Sequence, residues 1–242
     1  MQTVTNELPT EVGIHDGLSY SLWLPRPRSR PAPPAGIVIV HGAGSCKENH
    51  HDYARAALAA GFAAIAFDQR GHGASVGPMD GRAIEDVAAI AAKLRSAIGD
   101  PAAPIALRGS SMGGYLSLVA ATAADASAVV AICPASAAGL QRGLRDGKYE
   151  FEADVAALDR LLAAHDEQAA VERLGIPVLL LHAEGDEQVP VAHSRELAAR
   201  MKAPSSRLIA VPGGHHRSVQ HDAELQAVSL RFIARAVLDG AI

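Results

Sequence analysis

Cysteine and aromatic residues are scarce in this chain of 242 residues: two Cys, one Trp, four Tyr and four Phe. Two cysteines, Cys46 and Cys133, cannot build the disulfide framework of a small secreted domain. Cys133 ends an apolar run and reads as a small core residue, whereas Cys46 falls in a loop expected near the active site. Aromatics at 4% and an apolar content rich in alanine argue for helices packed closely on a sheet rather than for a ring-lined cavity. Positive charge is also lacking. With 22 Lys and Arg against 26 Asp and Glu, the net charge of −4 provides no basic footprint for nucleic acid. No apolar run reaches the roughly 18 residues that span a bilayer. Residues 1–10 are polar and lack the apolar stretch of a signal peptide. The expectation is a cytoplasmic enzyme with neither a membrane nor a nucleic-acid partner.

What is present is a folded composition, 49% hydrophobic and 20% charged, with no internal repeat and no dividing linker, so residues 1–242 read as one α/β domain. Short, continuously apolar runs predict strands over Gly36–Val40, Phe62–Phe67, Pro104–Leu107, Ala128–Ile132, Val178–Leu181 and Arg207–Val211. Amphipathic stretches between them predict helices over His51–Ala60, Arg82–Ile98, Tyr115–Ala124, His193–Met201 and Ala223–Val237. The alternation implies a mostly parallel central sheet with helices on both faces. Leu18–Leu24 alternates apolar with polar residues and is expected as an antiparallel edge strand. The proline-rich stretch Pro25–Pro34 reads as a stiff connector. Residues 134–174 hold no strand and one helical stretch, Glu150–His165, and are expected to form a short helical lid at the strands' C-terminal ends.

The densest chemical signal is Gly109-Ser110-Ser111-Met112-Gly113, set between a strand and a helix. A serine with a glycine two residues away on each side is the pattern of a nucleophile elbow. The turn is too tight for a β-carbon at either glycine, and it leaves the Ser111 hydroxyl clear of the sheet. The Met112 N–H then points from a helix N-terminus toward a developing oxyanion. His41-Gly42-Ala43-Gly44-Ser45 follows a strand and can aim backbone N–H groups at an anion, although a plain βα turn is equally consistent with it. It completes neither a dinucleotide nor a Walker pattern. Asp186 lies beyond Val178–Leu181 and can orient a histidine, with Glu184 and Glu187 as competitors. Gly213-Gly214-His215-His216 follows Arg207–Val211, where a histidine can take the proton of Ser111. The adjacent pairs His50-His51 and His215-His216 do not have metal-ligand spacing, and no metal is expected.

A serine, an acid and a histidine in the chain order Ser111, Asp186, His216, each past a strand end, resemble the α/β-hydrolase superfamily over essentially the whole length. The matching pieces are His41–Gly44, Phe67–Ser75, Gly109–Gly114, Gly185–Pro190 and Gly213–His216. The chain is most similar to small bacterial serine esterases, including the feruloyl/cinnamoyl group, in Lys47-Glu48 and in Asp186–Pro190. The resemblance implies an α/β-hydrolase fold and a carboxylic ester hydrolase acting through an acyl-enzyme. It assigns Ser111 as nucleophile, Asp186 as acid and His216, three residues after Gly213, as base, with His215 the alternative. Ala43 and Met112 match the oxyanion-hole positions, and His72, in the Asp68–Gly73 loop, matches a structural one. No cofactor is implied. The expected partners are a small-molecule ester and, at most, a second copy of the chain in a homodimer. The same residues would serve thioester, lactone or peptide hydrolysis, or a binding protein that has kept the site.

Overall fold

All residues of Gly36–Val40, Ala63–Phe67 and Ile105–Ser110 are buried, as strands covered on both faces must be. In the computed structural model, which describes residues 7–25 and 35–239, these are β3, β4 and β5 of one eight-stranded sheet. The others are β1 (Glu11–His15), β2 (Leu18–Trp23), β6 (Ala126–Ile132), β7 (Val178–Ala183) and β8 (Arg207–Val211). Their order across the sheet is β1-β2-β4-β3-β5-β6-β7-β8. The β1–β2 and β2–β4 pairs are antiparallel, and every other pair is parallel. Helices α1 (His51–Ala59), α2 (Ala83–Ile98), α3 (Met112–Val119), α4 (Ala137–Arg145), α5 (Val155–Ala164), α6 (Glu167–Arg173), α7 (Val191–Ala198) and α8 (Ala223–Asp239) make the crossovers and the insertion.

The period-2 alternation of strand side chains divides the core in two. Val38, Val40, Ile65, Leu107 and Val129 pack with Val87, Ile90 and Leu94 of α2 and Leu116 of α3. Ile37, Ile39, Ala64, Ala66 and Val130 meet Tyr53 and Ala57 of α1 and Phe232 and Ile233 of α8. Each of the large aliphatic side chains stabilises the fold by roughly 1.5–3 kcal/mol through burial. Because β3 has β4 on one side and β5 on the other, the chain reverses direction across the sheet there. The crevice this opens at the strands' C-terminal ends is where such sheets hold ligands.

Three elements differ from the sequence expectation. The Leu18 segment is antiparallel but is not the edge, because β1 lies outside it through a hairpin at Asp16-Gly17. Positive φ at both turn residues (51° and 82°) fits the Asp-Gly signal of a type I′ turn. Helix α3 begins at Met112, directly after the serine, rather than at Tyr115. The segment between β6 and β7 forms three helices instead of one, capped by the side chains of Ser136, Asp154 and Asp166. Its centre is tied to the loop after β4 by a parallel bridge between Met79 and Ala153. Of the proline-rich connector, all but Pro25 lies outside the described residues. Among the described residues no helix is long and apolar enough to cross a membrane.

Candidate active site

Ser111 sits between β5 and α3 at φ 53°, ψ −118°, a conformation that costs a non-glycine residue of order 1–3 kcal/mol. The surroundings impose it. A β-carbon on Gly109 would lie 2.0 Å from the Gly113 carbonyl oxygen, and one on Gly113 would lie 2.1 Å from that of Val40. The Ser111 N–H donates to Ile132 O at 2.9 Å, and its carbonyl accepts from Tyr115 and Ala135, each at 3.0 Å. The side chain is thereby presented at the rim of the sheet, half-buried.

The backbone N–H groups of Ala43 and Met112 have no hydrogen-bond partner among the described residues. That of Met112 is one of the unpaired donors at an α-helix N-terminus. Two neutral histidines shape the loop carrying Ala43. His41 donates from Nδ1 to Gly42 O (2.8 Å) and accepts the Gln69 N–H at Nε2 (3.0 Å). His72 donates from Nδ1 to Arg70 O (3.0 Å) and accepts the Gly44 N–H at Nε2 (3.1 Å). Burial and the neighbouring His72 push the His41 pKa down to about 4, and burial also lowers that of His72. Both rings have each nitrogen engaged, so neither is free to act as a base. Lys47 and Asp68 anchor the same loop: the Lys47 ammonium lies 2.7 Å from Asp68 Oδ2, and both side chains are buried.

Beyond β7 and β8, His216 Nδ1 lies 2.7 Å from Asp186 Oδ2. The other carboxylate oxygen of Asp186 accepts the N–H groups of Gln188 (2.8 Å) and Val189 (2.9 Å). Burial alone would raise the Asp186 pKa, but the hydrogen bonds from Val189, His216 and Gln188 hold it below the ordinary value. Neither competing acid bonds His216: Glu184 pairs with Arg195 at 2.7 Å, and Glu187 is exposed on the cavity wall. His215 is exposed and accepts the Arg217 N–H at Nδ1, whereas His216 is buried. Ser111, Ala43 and His216 line one cavity of about 980 Å³, with Arg142, Tyr149 and Gln188 on other walls. The Ser111 hydroxyl makes no hydrogen bond among the described residues. Such bonds are commonly long before a substrate tightens them.

Sequence reasoning missed several neighbours. Cys46 does not line the cavity, whereas Cys133, at φ 43°, places its sulfur within 4.8 Å of Asp186 and His216 ligand atoms. Burial, with the nearby Asp186 carboxylate, pushes the Cys133 thiol up to about 12. Among the described residues these three form the one cluster of metal-type ligands. The His216 nitrogen in it already bonds the carboxylate. Arg108, fully buried in β5, donates to Gln220 O at 2.8 Å and ties the nucleophile strand to the loop after His216. Its signal was a charged residue inside an apolar run. His182, four residues before Asp186, is also fully buried beside it.

A family model described as serine aminopeptidase, S33, matches residues 31–152, and one described as TAP-like protein matches residues 161–239. No curated protein matches the chain. Among solved structures, Est1E from Butyrivibrio proteoclasticus with bound ferulic acid is 22% identical at a TM-score of 0.70, the match covering 96% of this chain and 100% of that one. Monoacylglycerol lipase from Paleococcus ferrophilus is 21% identical at a TM-score of 0.67, covering 92% of this chain and 98% of the other. These likenesses are of fold.

Proposed function

The chain belongs to the α/β-hydrolase superfamily, and from that premise we propose that it cleaves carboxylic esters through an acyl-enzyme on Ser111. The observation that carries this reading is the 2.7 Å contact of His216 Nδ1 with Asp186, made by a histidine that shares the Ser111 cavity. A carboxylate can only accept, so Nδ1 carries the proton and Nε2 is left with a lone pair. In this mechanism Nε2 removes the Ser111 proton as the hydroxyl attacks the ester carbonyl. The Ala43 and Met112 N–H groups receive the oxyanion, and each such donor contributes roughly 2.7–4 kcal/mol to transition-state stabilisation. His216 then protonates the leaving alcohol, and water repeats the cycle on the acyl-enzyme.

The cavity supports an ester larger than an acetyl group, with residues 134–174 acting as a lid that supplies Leu140, Gly143 and Tyr149 to one wall. Behind Met112 and Leu140 a wholly apolar void of about 10 Å³ leaves room for no more than one water-sized group. Among the described residues Tyr149 is the one Phe, Tyr or Trp on the cavity wall, so a hydroxycinnamoyl ring of the kind bound by Est1E has little to stack on. A cytoplasmic setting is part of this reading, supported by two cysteines left as free thiols.

Ser111→Ala is expected to abolish turnover of p-nitrophenyl esters and labelling by a fluorophosphonate. Turnover retained near the wild-type rate would refute the assignment. A second reading, cleavage at a peptide N-terminus, draws on the family description and on Glu150 and Glu187, two cavity carboxylates that could hold an α-ammonium group. Aminoacyl p-nitroanilides assayed against p-nitrophenyl esters separate the two.

A further inference from the structure

His182 is the penultimate residue of β7 with its ring fully buried, and each nitrogen has one hydrogen-bond partner. Nε2 lies 2.9 Å from Val189 O, and Nδ1 lies 2.7 Å from Ser194 Oγ on α7. A carbonyl oxygen can only accept, so Nε2 bears the proton and Nδ1 receives the Ser194 hydroxyl. Ser194 is itself fully buried. The same Nε2 lies 3.4 Å from Asp186 Oδ2, the oxygen that His216 bonds.

The turn 186–189 is therefore gripped twice. From inside, the Gln188 and Val189 N–H groups hold Asp186 Oδ1. From beneath, His182 holds the carbonyl of Val189 and faces the other carboxylate oxygen. An apolar side chain would fill this place without the cost of burying two polar groups. We propose that His182, fixed as the Nε2–H tautomer by Ser194, is a positioning residue that aims Asp186 at His216. The charged or titratable neighbours of the ring are Asp186, His216 and His193. Burial first, with His216 and His193, keeps its pKa below the ordinary value and the ring neutral. The inference rests on the hydrolase reading of Ser111, Asp186 and His216.

Two amide substitutions separate positioning from packing. In His182→Gln the longer amide brings an N–H to the place of Nε2, and kcat on a p-nitrophenyl ester should stay within about threefold of wild type. In His182→Asn the amide reaches only toward Ser194. The expected result is a kcat loss of roughly ten- to a hundredfold at unchanged KM, the scale on which small misplacements act. The far-downfield proton resonance of the His216–Asp186 hydrogen bond should move with it. Folded His182→Asn with wild-type kcat and an unmoved resonance would overturn the proposal. If that variant does not fold, ring ¹⁵N shifts of the wild-type protein decide. They should report a protonated Nε2 and bare Nδ1 at about pH 7, with a titration midpoint below that of free histidine. An Nδ1–H tautomer, or a midpoint at or above that of free histidine, would also overturn it. If Ser111→Ala remains active, the esterase reading fails while the tautomer measurement still stands or falls by itself.

Discussion

The two halves of the candidate site are held by different forces. Around Ser111, Ala43 and Met112 the constraint is steric and deep: glycines with no room for a β-carbon, a strained serine, and histidines kept neutral by burial. Around Asp186 and His216 the constraint is a set of directed hydrogen bonds, on the loops that follow β7 and β8. A half built on excluded volume should fail through folding, and a half built on directed hydrogen bonds should fail through chemistry. Substitutions of similar size can test that contrast.

The largest effect is expected from Gly113→Ala. Its methyl group would sit 2.1 Å from Val40 O and 2.4 Å from His41 O, both backbone atoms that cannot rotate aside. A loss of more than about 4 kcal/mol, at the exceptional end for single substitutions, should appear as insoluble or unfolded protein. A folded variant would show that the elbow relaxes more readily than its packing implies. Asp186→Asn should do the reverse. Its amide can keep accepting the two N–H groups of the turn, but it disrupts the tautomer of His216, so kcat should fall about 10⁴-fold in a folded protein. Glu184→Gln and Glu187→Gln should leave kcat within about twofold, because neither acid touches His216. Circular dichroism and steady-state kinetics on the same samples distinguish the two modes of failure.

Acid should also separate the halves. His41 is neutral when folded down to about pH 4, against an ordinary value of 6.5, so between those values the unfolded chain binds a proton that the folded chain refuses. Stability should therefore fall as the pH drops from about 6.5 to about 4, by about 3 kcal/mol for this one residue. Asp186 loses stability in the same direction but in a lower window. Its pKa is depressed in the fold, so its contribution is complete above the ordinary carboxylate value and is lost only as the pH falls below it. Hydrogen exchange from pH 7 to pH 4.5 should thus show residues 41–74 losing protection before residues 186–189. Simultaneous loss would mean that the two halves unfold as one unit.

The same division governs what could be read from the sequence. The elbow is local, since three glycine and serine positions within five residues state both the chemistry and the steric reason for it. The buried strands were likewise legible as apolar runs, within two or three residues at their ends. β1 was not, because Val12 and Ile14 face solvent and the run carries no hydrophobic signature, although Asp16-Gly17 marked its turn. α4 and α6 hide because they are short, 9 and 7 residues, and their caps Ser136 and Asp166 announce them. On the acid side, position along the chain left Glu184 and Glu187 as competitors and the resemblance chose Asp186, whose 2.7 Å contact with a histidine thirty residues further on is a tertiary fact. His182, Ser194 and Cys133 acquire their roles from contacts between strands and helices, which no spacing encodes.

A small expected effect is the sharpest test of how Asp186 is held. Cys133 is buried with its sulfur near the carboxylate, and with a pKa of about 12 it remains a neutral thiol, a weak donor. The carboxylate already has two peptide N–H groups and the His216 ring. Cys133→Ala keeps a side chain no bulkier at φ 43° and removes one sulfur, at a cost of about 1 kcal/mol for the space left. Its kcat should stay within about threefold of wild type, and its thermal midpoint should fall by a few degrees at most. A kcat loss approaching that of Asp186→Asn would mean that the thiol aims the carboxylate. The half built on hydrogen bonds would then depend on a packed sulfur as well, and the contrast between the halves would narrow to the elbow glycines alone.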